Sequence, residues 1–244
     1  MARRGAFGTL MGSGLVVITV LGGVGGYALG LLTTDAPSAA YAGVAAPLGT
    51  EPSTTPDPSA TPSESQPPRK VTYDKSPALQ PDELNYKTRT FLVRDIFKSR
   101  MSLRVPSDWS FTQPDPPKTG RFTDPTGKRW IRVESGFTIS RPPEESLKAR
   151  IAQLSMLPPS QMVQLLSQSV HDKYATLMYT YVPDENQSPE GVVRYVVVRW
   201  VADSSGNCAV EMSSTGLPQD KDALVDVLDH ATDSVDRQDS PLGS

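Results

Sequence analysis

A single cysteine, Cys208, is all the thiol this chain has, so it contains no intramolecular disulfide, thiolate metal cluster or CxxC redox pair. Histidine, the usual proton carrier near neutral pH, occurs only at His171 and His230. No GxSxG, HExxH, P-loop or GxGxxG motif accompanies them, so neither a nucleophilic triad nor a phosphate or dinucleotide cradle is spelled out. The net charge of −3 is small, and nothing in it provides the basic face that a nucleic-acid partner requires. The expectation is a protein that is no enzyme, uses no cofactor or metal, and owes its stability to packing.

What the sequence does have is a sharp division along its length. From Leu10 to Leu32 the chain runs for 23 residues without a charge, LMGSGLVVITVLGGVGGYALGLL. As a helix at about 1.5 Å per residue it reaches about 34 Å, enough to cross a hydrocarbon core of about 30 Å. A helix also satisfies its own backbone groups in lipid. Arg3 and Arg4 precede the run, and the first charge after it is Asp35. The positive-inside rule then makes residues 1–9 a cytoplasmic stub and 10–32 a transmembrane helix, with everything beyond outside. The rival is a cleaved secretory signal, since Ala40-Tyr41-Ala42 has the small-x-small form of a cleavage site after Ala42. The apolar run is about twice the length of a usual signal core, which favours a retained anchor. Gly22, Gly26 and Gly30 share one helix face at the spacing that lets spans dimerise. Glycine is common throughout this span, and that plainer explanation is preferred.

Residues 33–82 form a Pro/Ser/Thr-rich linker, as in APLGTEPSTTPDPSATPSESQPPRK. So little apolar surface cannot offset the entropy of ordering, and the segment is expected to be disordered. About 40 residues average roughly 35 Å as a flexible coil and about 125 Å if fully extended, so the linker reads as a spacer.

Residues 83–238 carry the pattern of one folded domain, with 239–244 as a tail. Short strands are expected over Thr90–Asp95 and Met101–Val105, and another begins at Gly120–Thr123. Asp124-Pro125-Thr126-Gly127 is a turn in which proline fixes φ and glycine closes. Lys128–Glu134 alternates, with Trp130, Arg132 and Glu134 on one face and Ile131 and Val133 on the other. Pro142-Pro143 opens a helix whose first turn carries Glu144 and Glu145 and whose apolar stripe is Leu147, Ile151 and Leu154. Strands follow over Met162–Val170 (open to a helical alternative), Tyr174–Val182, Val192–Ala202 and Asn207–Ser213. VVRYVVVRWVA is apolar almost throughout, the mark of a central strand covered on both faces. A last amphipathic helix, from about Pro218 to Arg237, repeats Leu224, Leu228, Ala231 and Val235. The simplest architecture is α+β: one antiparallel sheet with a helix on each face.

Candidate chemistry is sparse. Glu144, Glu145 and the aspartates of the last helix match no cation-loop spacing and read as solvated charge. Cys208 lies in a strand and reads as a small buried hydrophobe. Most of the tryptophans and tyrosines read as core. Trp130 differs, because it follows Lys128 and Arg129 and shares a face with Arg132. Trp130 and Arg132 are therefore the candidate partner contact.

The Val105-Pro106-Ser107-Asp108-Trp109 stretch, the Phe122–Gly127 turn with its following strand, and the closing acidic helix resemble the PsbP-like domains. The resemblance spans about residues 88–238. It implies an α-β-α sandwich that works by binding, as in bacterial envelope proteins, and transfers no ligand site to named residues. The expected function is a membrane-anchored extracytoplasmic interaction or accessory module with a protein partner in the cell envelope. The alternative is a small-ligand or lipid-binding envelope protein, with a pocket between sheet and helix near the aromatics and Met178.

Overall fold

The run VVRYVVVRWVA needs cover on both faces, and the fold supplies it. The computed structural model describes residues 69–114, 116–137 and 140–242. The expected anchor, its Gly22, Gly26 and Gly30 face, the Ala42 site and the linker up to residue 68 lie outside these. No helix among the described residues is long and apolar enough to cross a membrane.

In chain order the elements are β1 (Tyr86–Arg94), β2 (Lys98–Pro106), β3 (Ser110–Thr112), β4 (Thr119–Thr123), β5 (Trp130–Glu134), α1 (Pro143–Ser155), β6 (Gln164–Val170), β7 (Tyr174–Tyr181), β8 (Arg194–Ala202), β9 (Cys208–Gly216), α2 (Lys221–Ser234) and β10 (Asp236–Ser240). They build a seven-stranded sheet in the order β3-β4-β5-β9-β8-β7-β6 and a three-stranded sheet in the order β1-β2-β10. All the pairings between these strands are antiparallel.

Strand β8 sits between β9 and β7, and its side chains alternate between two cores. Val196, Val198 and Trp200 pack with Leu147 and Leu154 of α1 and with Leu177 and Tyr179 of β7. Tyr195 and Val197 pack on the other side, with Leu224, Val227, Leu228 and Ala231 of α2. The fold is thus α+β, largely antiparallel, with one helix on each face of the large sheet. It departs from the expected single sheet, because Phe91, Val93, Met101, Leu103 and Val105 of the three-stranded sheet join the α2 core as a further layer.

The third strand of that layer was hidden from pattern. The helix expected to reach Arg237 stops at Ser234, whose hydroxyl donates to His230 O at 2.6 Å. Val235 is extended (φ −65°, ψ 124°), and Asp236–Ser240 then pair with β2. Asp-Arg-Gln-Asp-Ser has no apolar alternation. Its placement comes from backbone pairing, from Ser99 donating to Asp239, and from Arg237 donating to Ala209 O.

Residues 69–82 belong by composition to the linker, yet they lie against the domain. Arg69 donates to Pro183 O and Ser188 O. Thr72 N donates to Gly191 O at 2.9 Å, and Val193 N donates to Thr72 O at 3.1 Å. Gly191 has φ +63°, and a Cβ there would sit 2.4 Å from Lys70 O, so only glycine lets this strap approach. Further on, Leu79 N donates to Asp220 Oδ1 at 2.9 Å. Such segments are held by polar contacts, which composition does not reveal.

Leu228→Ala in the fully buried α2 core is expected to cost about 2–5 kcal/mol. Met156→Ala, at a site 80% exposed, is expected to stay within about 1 kcal/mol of the parent. Urea unfolding of the two variants separates these outcomes.

Candidate functional site

The turn that the sequence announces at Asp124–Gly127 does more than reverse the chain. Asp124 Oδ1 accepts from Lys128 N at 2.9 Å and Arg129 N at 3.0 Å. Gly127, at φ +72°, closes the turn with its amide on Asp124 O at 3.0 Å. Arg129 then turns inward, where its Nε and Nη2 grip Asp220 Oδ2 and Oδ1 at 2.8 and 2.9 Å. Asp220 is fully buried. Burial alone would lower the Arg129 pKa, but Asp220 and Asp124 outweigh it and hold the guanidinium more firmly protonated than usual. Strand β5 therefore starts from a fixed point, and its first residue is Trp130.

Trp130 stands partly buried on the α1 face of the large sheet, outside the α1 core. The Arg121 guanidinium carbon lies 4.3 Å from its ring centroid and that of Arg194 lies 5.5 Å away. Arg194 is itself oriented by donating from Nη1 to Lys128 O at 3.1 Å. Arg121 is exposed. The result is an aromatic plate flanked by two guanidiniums, built on three strands.

Arg132 does not join that surface. It lies at 6% exposure between β4 and β9 and is paired with Glu134. On β5, the alternation that sets it beside Trp130 also sets it deeper under the α1 face. Glu134 stands directly opposite Glu211 of β9. Burial raises the Glu134 pKa first; Arg132 opposes this, and the Glu211 charge adds to it. Glu211 in turn accepts from Arg150 Nη2 at 2.6 Å and Trp200 Nε1 at 2.8 Å. Sequence reasoning picked Trp130 and missed Arg121 and Arg194. Cross-strand register alone brings those three together, and no local pattern encodes it.

The other candidate groups are tied up. His230 packs on the Tyr86 ring with centroids 3.9 Å apart and lies 3.8 Å from Asp226. Tyr86 donates to Asp226 Oδ2 at 2.6 Å, and burial followed by that contact pushes its phenol well above the usual range. A phenol held protonated in this way is a poor base or nucleophile. His171, at the end of β6, packs on Tyr174. Glu144 and Glu145 both pair with Lys148. Among the described residues no cluster of three or more His, Cys, Asp or Glu is placed to hold a metal.

A cleft of about 550 Å³ lies between α1 and β6, lined by Ile151, Leu165, Leu166, Leu177 and Lys148 among others. It is not the pocket of aromatics and Met178 that the ligand alternative expects. Met178 packs into the α2 core instead, with Tyr195 OH donating to its sulfur at 3.3 Å.

No family model matches the sequence, and no curated protein matches it significantly. Among solved structures, the Ran-binding protein Mog1p of Saccharomyces cerevisiae matches with TM-score 0.43 and 13% identity, over 63% of this chain and 95% of its own. LpqN of Mycobacterium tuberculosis, described as involved in cell envelope biogenesis, matches with TM-score 0.33 and 14% identity, over 67% of this chain and 99% of its own. At these scores neither likeness carries an argument about this chain.

Cys208 is buried, and burial, reinforced by Glu211, pushes its thiol up to about 12. The folded state holds this proton more tightly than the unfolded one. The associated stability is therefore present below the ordinary value of 9.0 and lost as pH rises toward about 12. At pH 8 the buried thiol stays protonated and unreactive. A thiol-exchange reagent is expected to leave the native protein unlabelled for hours at pH 8 and to titrate one thiol at once in denaturant.

Proposed function

We propose that this chain is a membrane-anchored extracytoplasmic interaction module with a PsbP-like domain. It is carried by a span over residues 10–32 and acts by binding a protein partner in the cell envelope rather than by catalysis. The observation that carries this reading is the Arg121–Trp130–Arg194 surface. Tryptophan and arginine are the side chains on which interfaces most depend, above all where they are rigidly presented. Here the plate is held by a strand whose first residues are locked through Arg129, so little side-chain freedom remains to be lost on binding. Arg121, exposed and stacked on Trp130, adds positive charge and a planar face to this surface.

The small-ligand or lipid reading rests on the α1–β6 cleft, whose volume falls in the usual ligand range. The protein-partner reading is preferred because Lys148, the one charged group among the lining residues, is already paired with Glu144 and Glu145, and beside it the lining offers only Ser167 and Gln168 as polar groups.

The test is crosslinking in intact cells expressing the tagged full-length chain, with the domain-deleted anchor as control. The expected result is a reproducible partner whose capture falls at least tenfold in the Arg121→Glu/Trp130→Ala variant, about 1.4 kcal/mol or more of lost affinity. Equal capture by that variant would remove this surface from the account. Capture of nothing, together with a purified chain that carries a small molecule in native mass spectrometry, would favour the ligand reading.

A further inference from the structure

Strand β6 is an open edge of the large sheet, and its chemistry is unlike that of the other edges. All seven residues, Gln-Leu-Leu-Ser-Gln-Ser-Val, are exposed, and none is charged. The opposite edge, β3, has only three residues, with Pro114, Pro116 and Pro117 close behind it. The edges of the small sheet carry Lys87, Arg89 and Arg94 on β1 and Asp236, Arg237 and Asp239 on β10. Short length, proline and charge are the usual protections against strand addition. Strand β6 has only a bulge between Leu165 and Ser167, which leaves 167–170 in regular register with β7.

We infer that β6 pairs antiparallel with β6 of a second copy about a two-fold axis at Gln168, joining the two large sheets edge to edge. Three observations select this occupant and this register. His171 N donates to Tyr174 O on β7. By antiparallel alternation the backbone groups of Gln168 and Val170 therefore point outward, unpaired among the described residues. A two-fold axis at Gln168 sets Gln168 against Gln168 and Leu166 against Val170, twice. Leu166 and Val170 are 46% and 53% exposed, so each symmetric pair covers apolar surface with apolar surface. An axis at Ser167 would instead set Leu166 against Gln168 and Val170 against Gln164. Because the strand is uncharged, self-pairing brings no like charges together, and the pairs just beyond it (Gln164 with Asp172, Leu165 with His171) bring none either. This surface is separate from the Arg121–Trp130–Arg194 plate, which lies across β4, β5 and β8.

A cysteine on the axis tests the register directly. Paired residues of this kind lie about 5.5 Å apart at Cα, within disulfide range. The full-length chain in detergent is oxidised with Gln168→Cys, and with Ser205→Cys in the exposed β8–β9 turn as control; the native Cys208 is buried in both. The Ser205 control carries the same N-terminal run, so association through that run affects both chains alike. The expected result is a disulfide-linked dimer from Gln168→Cys, formed at least tenfold faster than from the control. Gln168→Lys, which sets two ammonium groups opposite each other, is expected to lower the dimer fraction at least tenfold in sedimentation. Crosslinking of Gln168→Cys no faster than of the control would overturn the proposal. So would a sedimentation profile that Gln168→Lys does not change.

Discussion

Arg129 and Asp220 meet where water does not reach, and three parts of the chain far apart in sequence depend on that meeting. Each oxygen of Asp220 receives one hydrogen bond from the Arg129 guanidinium and one from a backbone amide, Leu79 N on Oδ1 and Leu217 N on Oδ2. Arg129 also donates from Nη1 to Asp124 Oδ2 and from Nη2 to Pro77 O. A buried ion pair often stabilises little by itself, because desolvation offsets the Coulomb gain. Its value here lies in what it joins: the strap at 77–79, the start of β5 and the entry to α2. Removing one partner would leave a buried charge uncompensated, at a cost of about 3–5 kcal/mol.

The candidate surface is a consequence of this junction. Arg129 fixes the backbone from which Trp130 projects, and the Lys128 carbonyl beside it orients Arg194. Lys128 also reaches the strap, pairing with Asp74 at 2.8 Å and holding that carboxyl well below the usual range. The plate is therefore a rigid outcrop of the fold rather than a set of surface side chains. In the proposed function, that rigidity is what a partner would exploit. The strap has a second effect: Arg69 and Thr72 fasten it beside the β7–β8 loop, so residues that composition assigns to the linker take part in the fold.

Sequence reasoning went furthest where local patterning and burial agree. VVRYVVVRWVA reads as a two-sided central strand because every second residue must find a core, and β8 finds two. The α1 stripe, the Asp124–Gly127 turn and the apolar face of α2 were legible for the same reason. The strap, β3 and β10 were not, since backbone pairings, polar side chains and single apolar contacts (Leu79 on the α2 core, Phe111 on Phe91 and Phe122) place them without any periodicity. Leu79 finds its acceptor 141 residues away, and Asp-Arg-Gln-Asp-Ser looks like the end of an acidic helix until β2 is beside it. Of the proposed contact pair, Trp130 could be singled out from its basic neighbours. The burial of Arg132, and the arrival of Arg121 and Arg194 from other strands, depend on register that no single segment contains.

Amide hydrogen exchange on the full chain, compared with Asp220→Asn, tests the central role of the junction most directly. Thr72, Leu79, Leu217 and the first residues of β5 are expected to lose protection together, by a factor of about a hundred or more, while the β7–β8 pairing keeps its own. Loss confined to Leu79 and Leu217, with Thr72 and β5 unchanged, would contradict that role and reduce the Arg129–Asp220 pair to a local cap on α2.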